Sequence, residues 1–256
     1  MIAPKGKVLI ACDLSQAESW IVAYRANEHK MKHALNFGDI HRETAIGFFP
    51  KPPELIITEE RYIGKQFNHA SSYRMGPERA AEIINKKSDQ PPFVTVSLPQ
   101  AKEFSRKWHQ LYNVKTWWSE IEDQLNRNRT LVTTYGRKRT FFAAWGNEFF
   151  KEATAFEPQS TVADHFNGAT HPELGIEGGL LAICRHVILP SKGELKIVNQ
   201  AHDSLMVECP TEIRMEIAQE MTKWLRRPLV INGEEFTIPS DCEMGERWGE
   251  MEKVKI

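Results

Sequence analysis

Two aspartates and one helix face hold most of the reactive chemistry in this chain. Asp13 follows the apolar run Val8-Leu9-Ile10-Ala11-Cys12 and precedes Leu14-Ser15-Gln16-Ala17-Glu18, which opens an amphipathic helix. A carboxylate at the end of a buried strand is costly when alone, and a divalent cation is one way to remove that cost. Asp203 lies in His202-Asp203, between the apolar runs Leu195–Gln200 and Leu205–Glu208. A tight turn there pushes its side chains out of the sheet, where Asp203 can share metal ions with Asp13. Arg61, Lys65, His69 and Tyr73 recur every four residues and fall along one drifting helical stripe. Two cations followed by a flat ring and a phenol suit a triphosphate at one end and a base and sugar at the other. Each set also has a plainer reading. Ser15-x-x-Glu18 is a capping box, an Asp in a hairpin turn is ordinary, and basic helix faces are common.

The elements that must position these residues follow from periodicity. Residues 7–12 read as a central strand, followed by a helix burying Ala17, Trp20, Ile21 and Tyr24. Asp39-Ile40-His41-Arg42 comes after a break at Gly38. A helix runs from about Glu59 to Tyr73, and Gly76-Pro77 starts another with Ala80, Ala81, Ile83 and Ile84 inside. Residues 86–97 are a loop and 98–127 one long helical region. Thr130–Thr134 and Lys138–Phe142 are strands, and 147–170 is a helix in two pieces broken near Pro158. Leu180–Leu189 is helical. The hairpin around His202-Asp203, a helix over Thr211–Arg226 and a strand pair around Asn232-Gly233 close the chain. The order predicts α+β rather than a doubly wound sheet.

With 41% apolar and 26% charged residues among 256, the composition is that of a soluble globular protein. A net charge of -1 gives no global basic field, so any nucleic-acid contact must come from a local patch. The four cysteines (Cys12, Cys184, Cys209, Cys242) are far apart, which predicts reduced thiols in a cytoplasmic protein and no zinc site. No run approaches the roughly 20 apolar residues of a membrane helix, and the first residues are no signal peptide.

Asp13-Leu14-Ser15-Gln16-Ala17-Glu18 resembles motif A of the family A (DNA polymerase I-like) DNA polymerases, Asp-Tyr-Ser-Gln-Ile-Glu. The stripe resembles motif B, Arg-x3-Lys-x7-Tyr, and His202-Asp203 resembles motif C, His-Asp-Glu. Thr134-Tyr135-Gly136-Arg137-Lys138-Arg139 is similar to the family's Thr-x-Gly-Arg-Arg-Arg turn. Gln159-Ser160-Thr161-Val162-Ala163-Asp164 is similar to its Gln-Gly-Thr-Ala-Ala-Asp helix, and Gly245-Glu246-Arg247-Trp248 to its Gly-x-x-Trp close. The matches come in the family's order and span essentially the whole chain.

The resemblance implies a polymerase palm, an antiparallel sheet with helices, interrupted by a mostly helical fingers insertion: palm 1–27, fingers 28–129, palm 130–256. It implies template-directed DNA synthesis, with Asp13 and Asp203 holding two Mg²⁺ ions and Lys65 and Arg61 on the phosphates. His69, Tyr73 and Gln16 would contact the nucleotide, and Glu18 would reject ribonucleotides. Arg137, Arg139, Gln159 and His202 would contact primer-template DNA. Several positions depart from the family. Leu14 replaces an aromatic residue, His69 a Phe or Tyr, Ser204 a Glu, Ala155 an Asn, and Arg74 follows Tyr73 where glycine is usual. The family's thumb and exonuclease precede motif A, so the resemblance implies a split or truncated polymerase of phage type, with the thumb and exonuclease on a separate polypeptide. Its rivals are an inert DNA- or partner-binding remnant and a single-subunit RNA polymerase, against which Glu18 argues.

Overall fold

The computed structural model describes residues 1–256. In chain order its elements are β1 (Lys7–Leu14), α1 (Ala17–Arg25), α2 (His29–Phe37), α3 (Ile40–Phe48), α4 (Thr58–Ser72), α5 (Pro77–Asn85), α6 (Leu98–Leu111) and α7 (Lys115–Asn128). They continue with β2 (Thr130–Val132), β3 (Lys138–Thr140), α8 (Asn147–Asn167), α9 (Gly179–Ile183), β4 (Lys196–Ala201), β5 (Ser204–Pro210), α10 (Arg214–Leu225), β6 (Pro228–Ile231), β7 (Glu234–Thr237), β8 (Ser240–Gly245) and β9 (Glu252–Val254). This is the expected α+β mixture, built on antiparallel pairing.

The chain divides into two compact units. One comprises Met1–Glu18, Val132–Arg137 and Gln159–Ile256, and the other Ser19–Leu131 and Lys138–Pro158. In the first, β1 is the central strand of a sheet ordered β4-β5-β1-β8-β9. Its near-continuous apolar run fits that place: Leu9, Ile10 and Cys12 are all but fully buried. Helix α10 packs across β1, β5 and β8, burying Ala218, Met221 and Leu225. The other unit is helical. Helix α4 packs on α3, α5 and α6 around Phe48, Phe67, Phe104 and Trp108. At its centre Asn68 accepts from Trp108 Nε1 (2.8 Å) and Thr44 Oγ1 (2.9 Å) through Oδ1 and donates to the Ile40 carbonyl (3.2 Å).

Several local expectations are corrected. Ser15 does not cap α1: its Oγ is buried without a hydrogen bond. The strand-to-helix corner is made by backbone instead, with Gln16 at φ +56° and the Ser15 N–H donating to the Pro239 carbonyl at 2.7 Å. The helical region 98–127 is broken where Tyr112 and Val114 turn inward and are buried. Helix α8 instead runs unbroken through Pro158. Phe149 and Phe156 before the proline and Val162 and Phe166 after it are all buried, which outweighs the roughly 3 kcal/mol cost of an interior proline. Strands β8 and β9 were not expected at all. Cys12 and Cys242 are not free thiols: they face each other in the β1–β8 register and form a disulfide. Only Cys184 and Cys209 are free.

Candidate active site

Antiparallel pairing brings the two aspartates together. In the β1–β5 ladder Asp13 lies opposite Ser204, the residue after Asp203, and the Leu14 N–H donates to the Asp203 carbonyl at 3.1 Å. The hairpin turns over two residues, with His202 at φ +56° as so tight a turn requires. His202 then reaches two carboxylates: Nδ1 is 3.4 Å from Asp203 Oδ1 and Nε2 is 3.7 Å from Glu18 Oε1. Asp13, Glu18, His202 and Asp203 therefore gather at one end of β1. Gln16 is at the same corner, its Oε1 buried without a partner.

The charge at this corner is strongly negative. Asp13 is exposed at the end of its strand, yet partial desolvation pushes its carboxyl above its ordinary pKa, and the neighbouring carboxylates of Asp203, Asp241 and Glu243 push it further, against the opposing Lys253. Asp241 lies directly across from Asp13 on β8. An all-oxygen donor set in excess negative charge suits a small hard dication. No three His, Cys, Asp or Glu side chains are gathered closely enough to cage a metal by themselves. Two carboxylates completed by water and substrate phosphates are how Mg²⁺ is commonly held, and Asp13 and Asp203 fit that pattern.

The helical unit carries the stripe on α4. Lys65 and His69 are exposed, Arg61 is half-buried and Tyr73 is buried, with the His69 and Tyr73 rings edge-to-face at 5.3 Å. Gly64 sets what lies beside them, because a Cβ there would sit 2.3 Å from the His41 carbonyl oxygen. Only glycine lets α3 approach this closely. The approach delivers Asp39, whose Oδ1 caps α3 through the His41 and Arg42 N–H groups and whose Oδ2 accepts from Arg61 Nε at 2.6 Å. Burial alone would raise the Asp39 carboxyl, but the Arg61 guanidinium and the two backbone donors hold it below the ordinary range.

His41 stands beside this stripe, although no motif spacing marks it. Burial lowers its pKa to about 4, with Asp39 opposing and Arg61, Lys65 and His69 adding to the depression. Its Nδ1 faces Asn68 Nδ2 at 3.1 Å. Because that amide nitrogen can only donate, Nδ1 accepts and the ring proton sits on Nε2. A neutral N–H donor beside two cations is well suited to an anionic oxygen. The available signal was Asp39-Ile40-His41 behind a glycine break, which motif spacing alone does not mark.

Arg137 is exposed and forks onto Asp164 of α8, Nε to Oδ2 at 2.9 Å and Nη2 to Oδ1. Its turn is anchored by Tyr135, whose hydroxyl meets His165 Nδ1 at 2.7 Å and whose ring lies under Arg227. Gln159 is exposed on α8 in the same unit. Arg139 belongs to the helical unit, where it pairs with Glu152 and covers Phe141. A cavity of about 500 Å³ adjoins Tyr73 in that unit, lined also by Arg79, Lys151 and Ala155.

The sequence profile described as DNA polymerase family A matches residues 1–250. DNA polymerase I of Aquifex aeolicus is 26% identical over 251 residues, covering 96% of this chain and 40% of its own length. DNA polymerase I of Helicobacter pylori is 23% identical over 249 residues, 95% of this chain and 25% of its own. The DNA polymerase of Escherichia phage T5 is 23% identical over 268 residues, 96% of this chain and 31% of its own. Among solved structures, the POL domain of Pol1 from M. smegmatis, in complex with DNA primer-template and dNTP, superposes with a TM-score of 0.74 at 18% identity. That match covers 98% of this chain and 42% of the other. The chain thus spans between a quarter and two-fifths of the length of these relatives.

Proposed function

The chain belongs to DNA polymerase family A, and from that premise we propose that it performs nucleotidyl transfer in template-directed DNA synthesis, joining deoxynucleotides to a primer 3′-hydroxyl. The observation that supports this most is the pairing of Asp13 with the Asp203 turn through the β1–β5 register. Asp13 and Asp203 would hold two Mg²⁺ ions, whose chemistry when bound is activation of the primer hydroxyl and neutralisation of the leaving pyrophosphate. Arg61 and Lys65 bind the triphosphate, His41 donates Nε2–H to a phosphate oxygen, and Asp39 keeps the Arg61 fork oriented until the nucleotide arrives. His69 and Tyr73 pack against the nucleotide. Glu18, held near His202, fills the space that a ribose 2′-hydroxyl would need, which favours DNA over RNA synthesis.

In this reading residues 1–27 and 130–256 are the palm and 28–129 the fingers, so the stretches 19–27 and 138–158 of the helical unit count with the palm. Arg137, Arg139, Gln159 and His202 contact primer-template DNA, the two arginines exchanging Asp164 and Glu152 for phosphates. Loss of Ser204's usual carboxylate leaves metal binding to two aspartates. The relatives' additional length is consistent with a thumb and exonuclease supplied by further polypeptide. No helix here is long and apolar enough to cross a membrane; we place the enzyme in the cytoplasm on its DNA substrate alone, since the Cys12–Cys242 disulfide removes the support from reduced thiols.

Primer extension with Mg²⁺ and four deoxynucleotides, by the chain alone and with a thumb-containing polypeptide, tests the proposal. Extension under either condition supports it, and Glu18→Ala should then admit ribonucleotides. A folded chain that extends nothing in both would instead favour an inert remnant.

A further inference from the structure

Tyr73 ends α4 between two residues that α7 grips. Ahead of it, the Ser72 carbonyl accepts from Trp118 Nε1–H at 3.2 Å. Behind it, the Arg74 guanidinium lies over the Trp118 ring, 4.8 Å from its centroid, and over the Phe150 ring at 5.5 Å. Its Nη1 donates to Glu122 Oε1. Trp118 and Glu122 are one turn apart on α7 and so share a face. The Arg74 side chain is only 17% exposed, and its Nε and Nη2 are buried without hydrogen-bond partners. Two aromatic rings and one carboxylate thus hold the guanidinium.

The backbone makes an arginine here notable. The Met75 N–H donates to the Ala70 carbonyl at 3.0 Å and the Arg74 N–H to the Ser71 carbonyl at 3.3 Å, a Schellman ending for α4. That ending requires a left-handed residue after the cap, and Arg74 takes φ +59°. Glycine adopts this conformation without steric penalty; arginine does not. The side-chain clamp offsets the penalty.

We propose that Arg74 is a positioning residue for Tyr73: clamped by Trp118, Glu122 and Phe150, it fixes the end of α4 and thereby the Tyr73 ring beside the 500 Å³ cavity, setting the affinity for the incoming nucleotide. Its kinetic consequence rests on the polymerase reading above. A clamp that preorganises a binding surface, used alike in the ground and transition states, acts on KM rather than kcat.

The test compares the wild-type chain with Arg74→Gly, which suits the left-handed backbone, Glu122→Gln, which removes the carboxylate charge, and Arg74→Lys. Each is labelled with fluorotyrosine, with Tyr73 assigned by Tyr73→Phe, and each is assayed for extension. In Arg74→Gly and Glu122→Gln the Tyr73 fluorine resonance should shift and broaden. KM for the next deoxynucleotide should rise roughly three- to tenfold while kcat stays within about twofold. Arg74→Lys should recover part of both. An unchanged resonance with unchanged KM, or a lowered thermal midpoint alone, would overturn the clamp. If the wild type extends nothing, alone or with a thumb-containing polypeptide, yet its Tyr73 resonance responds to Arg74→Gly, the polymerase reading fails and the clamp stands.

Discussion

The Leu14 backbone N–H donates to the carbonyl of Asp203 at 3.1 Å, joining the end of the Asp13 strand to the tip of a hairpin 190 residues further along the chain. The bond is a ladder contact, so the spacing of the two carboxylates is fixed by sheet register rather than by side-chain choice. A shift of one residue would turn Asp13 to the opposite face. Partial burial and the neighbouring carboxylates push the Asp13 carboxyl upward, so a cation bound there would relieve a repulsion already present in the fold.

Replacing Gly64 should separate α3 from α4. A Cβ there would lie 2.3 Å from the His41 carbonyl oxygen. Gly64→Ala should destabilise the chain by roughly 2–4 kcal/mol and weaken nucleotide binding by moving Asp39 and His41 away from Arg61. Gly146→Ala is the control: it meets nothing within 4 Å, and its effect should stay within about 0.5 kcal/mol. Urea denaturation of the two variants decides. Equal stability would remove the close approach from the account.

Acid should destabilise the chain before its carboxylates are protonated. Burial holds the folded pKa of His41 near 4 and that of His165 near 3, against 6.5 for a free imidazole. The unfolded chain therefore takes up these protons first. Stability is fully present above about pH 6.5 and falls as pH drops toward 4, by up to about 1.4 kcal/mol per pH unit for each histidine. Denaturation midpoints at pH 7 and pH 5 measure this; equal midpoints would show that neither histidine is buried neutral.

Reduction should cost stability. The Cys12–Cys242 bond closes a loop with a sequence separation of 230 residues, for which chain entropy gives about 5 kcal/mol. Cys12→Ala with Cys242→Ala, and the wild type in a thiol reductant, should both melt earlier than the oxidised chain. Coincident melting curves would mean that the bond contributes nothing.

How much of this was legible in the sequence depends on the range of the interaction. The His202-Asp203 hairpin and the α4 stripe were readable because alternation and a four-residue repeat are local signals. Asp13 was readable as a candidate because it ends an apolar strand. The Cys12–Cys242 pair was not, because it exists only through the β1–β8 register. Strands β8 and β9 were missed because they are short: β8 alternates Asp241 and Glu243 with buried Cys242 and Met244 over only six residues, and β9 has three. Ser15 and Pro158 misled in the opposite direction. Each is a strong local signal, for a cap and for a break, overridden by a backbone bond to Pro239 and by burial on both sides of the proline. His41 was hidden because its role depends on Gly64, which allows α3 to approach α4.

The most direct test of the central claim is Mn²⁺ binding, followed by electron paramagnetic resonance, to the wild-type chain, Asp13→Asn and Asp203→Asn with a deoxynucleoside triphosphate present. The account predicts binding by the wild type and a loss of at least about tenfold in affinity in each variant, with the fold retained by circular dichroism. Asp13→Asn should also stabilise the metal-free chain, because it removes one of the crowded carboxylates. Unchanged Mn²⁺ affinity in both variants would show that the Asp13–Asp203 pair is not a metal centre.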